Sequence, residues 1–300
     1  MEGETWDWKR FLLDHISTVL LVVLGIEMLF LIVLIVFEYL EFSPDDYFYL
    51  FSLIILMVST TYFGWHCLVK ENAFELIAFL VMSSLLTFHG LYKVLSEPTF
   101  FAIDLSAICV LSVSQLIYYG LFYYAYRHFG WRMVAELHTT DQNVVQAFKL
   151  FETFVSVMKI DFMLYTITVA TFWFYLFVYW SSSLVVWISV SAFVYVCMIA
   201  FSLIGTRAAF QEKNIPMTIF LWVNPLLSLF KAAIIVIVIT SPGSKVTTFV
   251  LVQSILIAAI DIIIAIVVGV LGAKLRRNFS RGLLTLINTI DKSLLVKPII

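Results

Sequence analysis

Three ionisable residues, Glu27, Lys231 and Asp261, lie deep within long apolar stretches of this sequence. A charge at the centre of a bilayer costs roughly 2.5–3.5 kcal/mol on insertion scales, so such residues face the interior of a helix bundle and pair there. Two acids and one base at similar depth predict a proton or cation relay, in which one acid neutralises Lys231 and the other titrates. A structural ion pair that holds helices together is the alternative, and both interpretations stay open.

A proline interrupts the stretch that holds Lys231. Asn224 precedes Pro225, which lacks a backbone donor and leaves a carbonyl without its helical partner, so a kink is expected there. Many transporters build their sites where a helix is broken beside a charge. Asn224 is therefore a fourth candidate binding or relay residue.

A second polar group is predicted towards the outer side of the membrane. His89 and Lys93 are four residues apart, so they share one face of a helix, and Asp104 begins the next apolar stretch. This group is either an outward-facing vestibule or an interfacial salt bridge with a snorkelling lysine.

Lys159 and Asp161 lie near the inner end of another apolar stretch. Residues two apart on a helix point in different directions, so these two do not pair with each other. We expect Lys159 to reach lipid phosphates and Asp161 to face inwards, with a structural role favoured for both.

The same region carries a family resemblance. The pattern consists of Phe129-Gly130-Trp131-Arg132, then Asp141, Phe151 and Lys159-x-Asp161. It resembles a little-characterised family of eukaryotic multi-span membrane proteins, although Thr139-Thr140 stands where the family has Gly-Ala. The resemblance implies the multi-span class, no established activity, and a shared cytosolic-side element holding Trp131, Asp141, Lys159 and Asp161.

Signatures of enzymatic chemistry are absent from the sequence. There is no HExxH, GxSxG or P-loop motif, and the five histidines show no metal-ligand spacing. The three cysteines all lie in apolar segments without a CxxC pair. We expect no enzyme, no metal site and no cofactor.

The elements that position these residues must be transmembrane helices. The chain of 300 residues is 62% hydrophobic and 13% charged, against about 25% charged in a typical soluble domain. Several apolar runs exceed the roughly 20 residues that cross a bilayer, and they do not alternate as barrel strands do. The predicted fold is an all-α polytopic transmembrane bundle, and a net charge of -2 gives no reason to expect nucleic acid.

We predict a single transmembrane domain over 1–300 with about eight spans. Polar turns, serine runs and prolines separate them. The spans are 12–40, 47–69, 73–95, 99–126, 150–180, 184–206, 216–241 and 246–273. A cytosolic amphipathic linker, 127–149, and a basic amphipathic tail, 274–300, complete the chain. Seven spans would result if 99–126 or 150–180 were interfacial.

The distribution of basic residues predicts the orientation. With the N-terminus in the cytosol, the outer loops hold only Lys93 and Lys245, and nearly all other Lys and Arg residues fall inside. An even number of spans then places the basic tail inside as well. No internal repeat is evident, although a 4+4 division puts Asp104 and Asp261 in the fourth span of each half.

These patterns favour a multi-pass integral membrane protein that acts as a transporter or channel for a small solute or ion. A non-transporting scaffold or accessory subunit is the first alternative, and a membrane sensor or receptor is the second. The expected partners are the lipid bilayer, a small solute or ion, and further copies or other subunits in a homo- or hetero-oligomer.

Overall fold

The computed structural model describes the backbone of residues 8–41, 47–70, 72–96, 101–136, 142–179, 184–240 and 248–279. Within these ranges the chain forms eight α-helices and no β-strand. They are α1 (Trp8–Glu41), α2 (Tyr47–Lys70), α3 (Ala73–Ser96), α4 (Phe101–Glu136), α5 (Gln142–Tyr179), α6 (Leu184–Phe210), α7 (Asn214–Thr240) and α8 (Thr248–Arg277). The predicted all-helical class is confirmed.

Seven of the helices are long and apolar enough to cross a membrane, judged on the described residues alone. The stretches are His15–Val36, Leu50–Val69, Ala73–Tyr92, Leu105–Phe129, Gln142–Ala170, Ile188–Phe210 and Ala258–Arg277. In α7 the apolar stretch found is shorter, Asn214–Phe230. Large apolar side chains such as Leu29, Leu116 and Trp222 lie exposed on the helix surfaces. This is the composition of a multi-pass integral membrane protein, in which lipid solvates the outer surface.

Two helices extend into the predicted linker. Residues 127–136 of the predicted linker continue α4, and 142–149 form the start of α5. A bilayer limits the apolar length of a span, whereas the helix itself continues as long as its residues support the backbone ladder. The tail contributes 274–277 to the last turn of α8, and 280–300 lies outside the described residues.

The chain divides into two compact units, unit 1 (Met1–Glu136) and unit 2 (Leu137–Ile300). In unit 1 each helix packs against two others, so that α1, α2, α3 and α4 form a closed ring. The connection 42–46 reaches only about 20 Å. It is too short to return along a 24-residue helix of about 36 Å, so α1 and α2 run antiparallel.

Unit 2 repeats this arrangement with α5, α6, α7 and α8, and α5 also packs across the ring against α7. Glycines permit two of the close approaches. A Cβ on Gly205 of α6 would lie 2.6 Å from the Phe220 ring of α7. A Cβ on Gly272 of α8 would lie 2.8 Å from Leu221 and from Met217.

Candidate functional site

Glu27 of α1 is the buried acid at the middle of unit 1. Its exposed fraction is 0%, and the Tyr118 hydroxyl of α4 donates a hydrogen bond to its Oε2. Among the described residues, its Oε1 has no hydrogen-bond partner. One neutral tyrosine is thus the hydrogen-bond partner identified for a carboxyl group held away from solvent on every side.

A second acid, Glu75, lies at the end of unit 1 where α2 and α3 join. The side-chain oxygen of Asn72 caps α3 by accepting from the amides of Phe74, at 2.9 Å, and Glu75, at 3.4 Å. Glu75 then pairs through Oε2 with His66 Nδ1 of α2. This hydrogen bond holds the two helices side by side near the connection between them.

Neutral polar side chains join α3 to α4 near the level of Glu27. Ser83 Oγ donates to Gln115 Oε1 at 2.5 Å, and Gln115 Nε2 donates to Ser84 Oγ at 3.0 Å. Ser84 Oγ also lies 2.8 Å from the Tyr119 hydroxyl. The interior of unit 1 is therefore polar over several turns.

The predicted outer group is described at His89 alone. His89 is buried and its Nε2 lies 3.2 Å from Ser52 Oγ of α2. The side chains of Lys93 and Asp104 lie outside the described residues. The vestibule and the salt bridge therefore both remain predictions.

Unit 2 buries two aspartates on neighbouring helices. Asp161 of α5 is 1% exposed and Asp261 of α8 is 2% exposed. Phe154 packs beside Gly272. From that contact we count seven residues, about two turns, along each of the two antiparallel helices. This count places Asp161 level with Ala265. Asp261 is one turn beyond Ala265, so the two acids lie about 6 Å apart along the bundle axis.

Asn224 of α7 contacts the main chain of α8 one turn from Asp261. Its Nδ2 donates to the main-chain oxygen of Ala265 at 3.3 Å. It is followed by Pro225 inside the helix. Ser228 Oγ donates to the main-chain oxygen of Asn224 at 3.2 Å. The Asn224 amide therefore links α7 to the part of α8 that carries Asp261.

Tyr165 of α5 completes the polar interior of unit 2. It is buried, it stacks on Tyr195 with ring centroids 5.7 Å apart, and it lies close enough to Asp261 for the two groups to interact electrostatically. Each unit thus places a buried acid beside a buried tyrosine of a neighbouring helix.

The predicted site residues separate between the two units. Glu27 belongs to unit 1, whereas Asp161, Asn224 and Asp261 all lie in unit 2. Lys231 lies in α7 one turn beyond Ser228, and its side chain is outside the described residues. The same holds for the side chain of Trp131 and for Asp141, while Lys159 is half-buried in α5.

The described residues contain no group of three or more His, Cys, Asp or Glu side chains arranged to hold a metal ion. Comparisons with protein-family models, curated proteins and solved structures find no match to this chain. A function for this protein therefore has to be inferred from the geometry of the two units.

Sequence reasoning missed Tyr118, Glu75 and Gln115 as site residues. Tyr118 stands in a run of tyrosines from 118 to 126, most of them exposed, and nothing in the run distinguishes it. Glu75 and Gln115 did carry a signal, because each is a polar residue inside an otherwise apolar stretch of helix.

Proposed function

We propose that this protein moves a small cation, alone or with a small solute, across a membrane as a transporter or channel. The observation that supports it is the pair of buried aspartates, Asp161 and Asp261, on two helices of unit 2, one of which is linked to α7 through Asn224. A buried carboxylate is stable only when a cation or a proton neutralises it, so a site with two acids has capacity for a mobile positive charge.

Pro225 inside α7 adds a second favourable element. It provides no backbone donor, so the carbonyl of Leu221 loses its helical partner. A carbonyl freed in this way is an oxygen ligand of the kind that hard cations prefer. Leu221 lies against Gly272 of α8, on the helix that carries Asp261.

We also propose that all eight helices cross the membrane with both termini in the cytosol. The basic residues support this orientation. A pH-insensitive fluorescent reporter at the C-terminus should be shielded from an impermeant external quencher in sealed cells. Quenching of that reporter would place the tail outside and argue for an odd number of spans.

Flux through reconstituted vesicles tests the proposed function. The purified full chain is placed in liposomes, and uptake of protons, ²²Na⁺ or ⁸⁶Rb⁺ is measured under an imposed gradient of each. We expect uptake of at least one cation above that of empty vesicles, and a loss of about tenfold or more with Asp161→Asn or Asp261→Asn. Glu152→Gln, a half-buried acid on the same helix α5, is the matched control and should retain full flux.

A membrane scaffold is the second candidate, because Asn224 directly ties α7 to α8 through Ala265. A scaffold predicts that the wild-type protein gives no more uptake than empty vesicles for all three cations. That result would overturn the transport proposal and leave the buried polar groups as links between helices.

A further inference from the structure

Unit 1 contains a polar layer that the aspartates of unit 2 do not use. All four of its helices contribute a buried polar side chain at one level. These are Glu27 of α1, Thr60 of α2, Ser83 of α3, and Gln115 and Tyr118 of α4, called here the central layer.

Two contacts one turn away establish that α1, α2 and α3 meet near this level. A Cβ on Gly64 would lie 2.6 Å from Leu24 and 3.0 Å from Phe79, so α1 and α3 both touch α2 at that glycine. We measure distances along the bundle axis from this contact, always in one direction. Glu27 then lies about 4.5 Å beyond Leu24. Thr60 and Ser83 lie about 6 Å beyond Gly64 and Phe79 respectively.

The fourth helix closes the layer through its own hydrogen bonds. The Tyr118 ring packs edge-on against Phe79 with centroids 4.8 Å apart, and its hydroxyl donates to Glu27. Gln115, one turn before Tyr118, accepts from Ser83. Each of the four positions is thus fixed by contacts with a neighbouring helix.

Two oxygen atoms of the central layer lack a hydrogen-bond partner among the described residues: Glu27 Oε1 and Thr60 Oγ1. Both side chains are 0% exposed. Buried polar atoms are nearly always paired, and an unpaired one points to an unseen water, ion or proton. The neighbouring hydroxyl of Thr61 behaves in the ordinary way, because it donates to Met57 O of its own helix at 2.8 Å.

We propose that Glu27 and Thr60 form a binding site for one monovalent hard cation, Na⁺ or a proton, in the middle of unit 1. Carboxylate and hydroxyl oxygens are the ligands that hard cations prefer. A proton on Glu27 Oε1 would instead make it a donor to the Thr60 hydroxyl. Either cation neutralises the carboxylate and satisfies both oxygen atoms.

The surrounding titratable groups are consistent with this assignment. Two helices pack against α1. From α4, Tyr118 faces Glu27. The nearest titratable residues of α2 lie within two turns of Thr60, on the side of the connection to α3, and they are Tyr62, His66 and Cys67. Of these, His66 is paired with Glu75.

Binding to the full chain in lipid nanodiscs tests the site without any measurement of flux. In the first arm, unfolding temperature is followed against Na⁺ at fixed pH, with choline to keep ionic strength constant. If Na⁺ is the ligand, it raises the unfolding temperature of the wild type, and Thr60→Val weakens the apparent affinity about tenfold or more. Thr61→Val is the matched control and should leave the affinity unchanged.

The second arm detects a proton. In the absence of Na⁺, difference infrared spectroscopy at varied pH should show a protonated-carboxyl band that disappears in Glu27→Gln and shifts in Thr60→Val. Glu152→Gln is the carboxyl control and should keep the band. The site is overturned if Na⁺ has no effect and the band is missing, or if Thr60→Val behaves as Thr61→Val does in both arms.

This site does not depend on the proposed transport function. Cation binding at Glu27 without any flux would support the site and reject transport. Flux that is lost with Asp161→Asn but insensitive to Thr60→Val, without binding in either arm, would support transport and reject the site.

Discussion

In unit 1 a buried glutamate of the first helix accepts from a tyrosine of the fourth, Glu27 from Tyr118. In unit 2 the positions are exchanged, because the acid Asp261 lies on the fourth helix and the tyrosine Tyr165 on the first. Both units are closed rings of four helices, and both bury a second acid, Glu75 in unit 1 and Asp161 in unit 2.

The two units differ in what links their helices. In unit 1, side chains pair with side chains across α1–α4, α2–α3 and α3–α4. In unit 2 side chains also pair across α5–α6, where Trp173 Nε1 donates to Ser191 Oγ at 2.6 Å, but the link between α7 and α8 ends on a main-chain oxygen. Glycines bring helices close in both units, Gly64 in unit 1 and Gly205 and Gly272 in unit 2. The difference between the units therefore lies in the main-chain link, which joins α8 to the helix that contains Pro225.

The largest expected effect comes from removing one of the polar pairs of unit 1. His66→Ala removes the hydrogen bond from His66 to the buried Glu75 carboxyl, which should lower the free energy of unfolding by about 3 kcal/mol. Unfolding in detergent measures it. Glu75→Gln with His66→Ala forms the double-mutant cycle, and the double variant should lose less than the sum of the single losses. Simple addition would mean that the two residues do not act as a pair.

A methyl group at the α6–α7 contact tests the close packing of unit 2. Gly205→Ala places a Cβ against the Phe220 ring, including its Cγ at 3.0 Å, and should cost about 2 kcal/mol. Gly269→Ala in α8 is the control, because nothing lies within 4 Å of its Cβ. It should be neutral or stabilise by up to about 1 kcal/mol through helix propensity. Equal effects of the two substitutions would contradict close packing at Gly205.

The main-chain link of unit 2 should have a smaller effect. Asn224→Ala removes the donor to Ala265 O, and we expect a loss of about 1 kcal/mol in unfolding free energy. Ser228→Ala serves as the comparison, because its hydroxyl donates within its own helix and its removal should change little. A larger loss with Ser228→Ala would show that α7 and α8 depend on a different contact.

The smallest effect is expected at the far end of unit 1. Ser52→Ala removes the partner of His89 on α3 and should cost about 0.6 kcal/mol, the mean for hydrogen bonds between helices in a membrane. Thr61→Val, whose hydroxyl bonds to its own helix, provides the reference for the same detergent titration. If Ser52→Ala matches that reference, the contact does not contribute to stability.

Much of the architecture could be predicted from the sequence. Polar stretches of the sequence such as 42–46 and 97–100 mark where one helix ends and the next begins. Long apolar runs specify the helical type, since lipid requires every backbone group to be paired within the segment. The buried positions of Glu27, Asp161 and Asp261 were expected because an acid inside a span turns away from lipid. Depth along a helix can be counted from a sequence.

The partners of these acids could not be predicted in the same way. Depth grouped Glu27 with Lys231 and Asp261, whereas the identified hydrogen bond of Glu27 comes from Tyr118. Which helices become neighbours depends on packing between residues far apart in the chain, such as Gly64 against Leu24 and Phe79. A run of similar residues like 118–126 also hides which tyrosine turns inwards.

The short connection between α2 and α3 has a consequence for how unit 1 enters the membrane. His66 and Glu75 are nine residues apart, so both emerge from the ribosome within one short interval of synthesis. Their hydrogen bond can therefore form inside the hairpin before α4 has been synthesised. The α2–α3 hairpin can therefore leave the translocation channel as one inserted element, and α1 and α4 then close around a surface that is already paired.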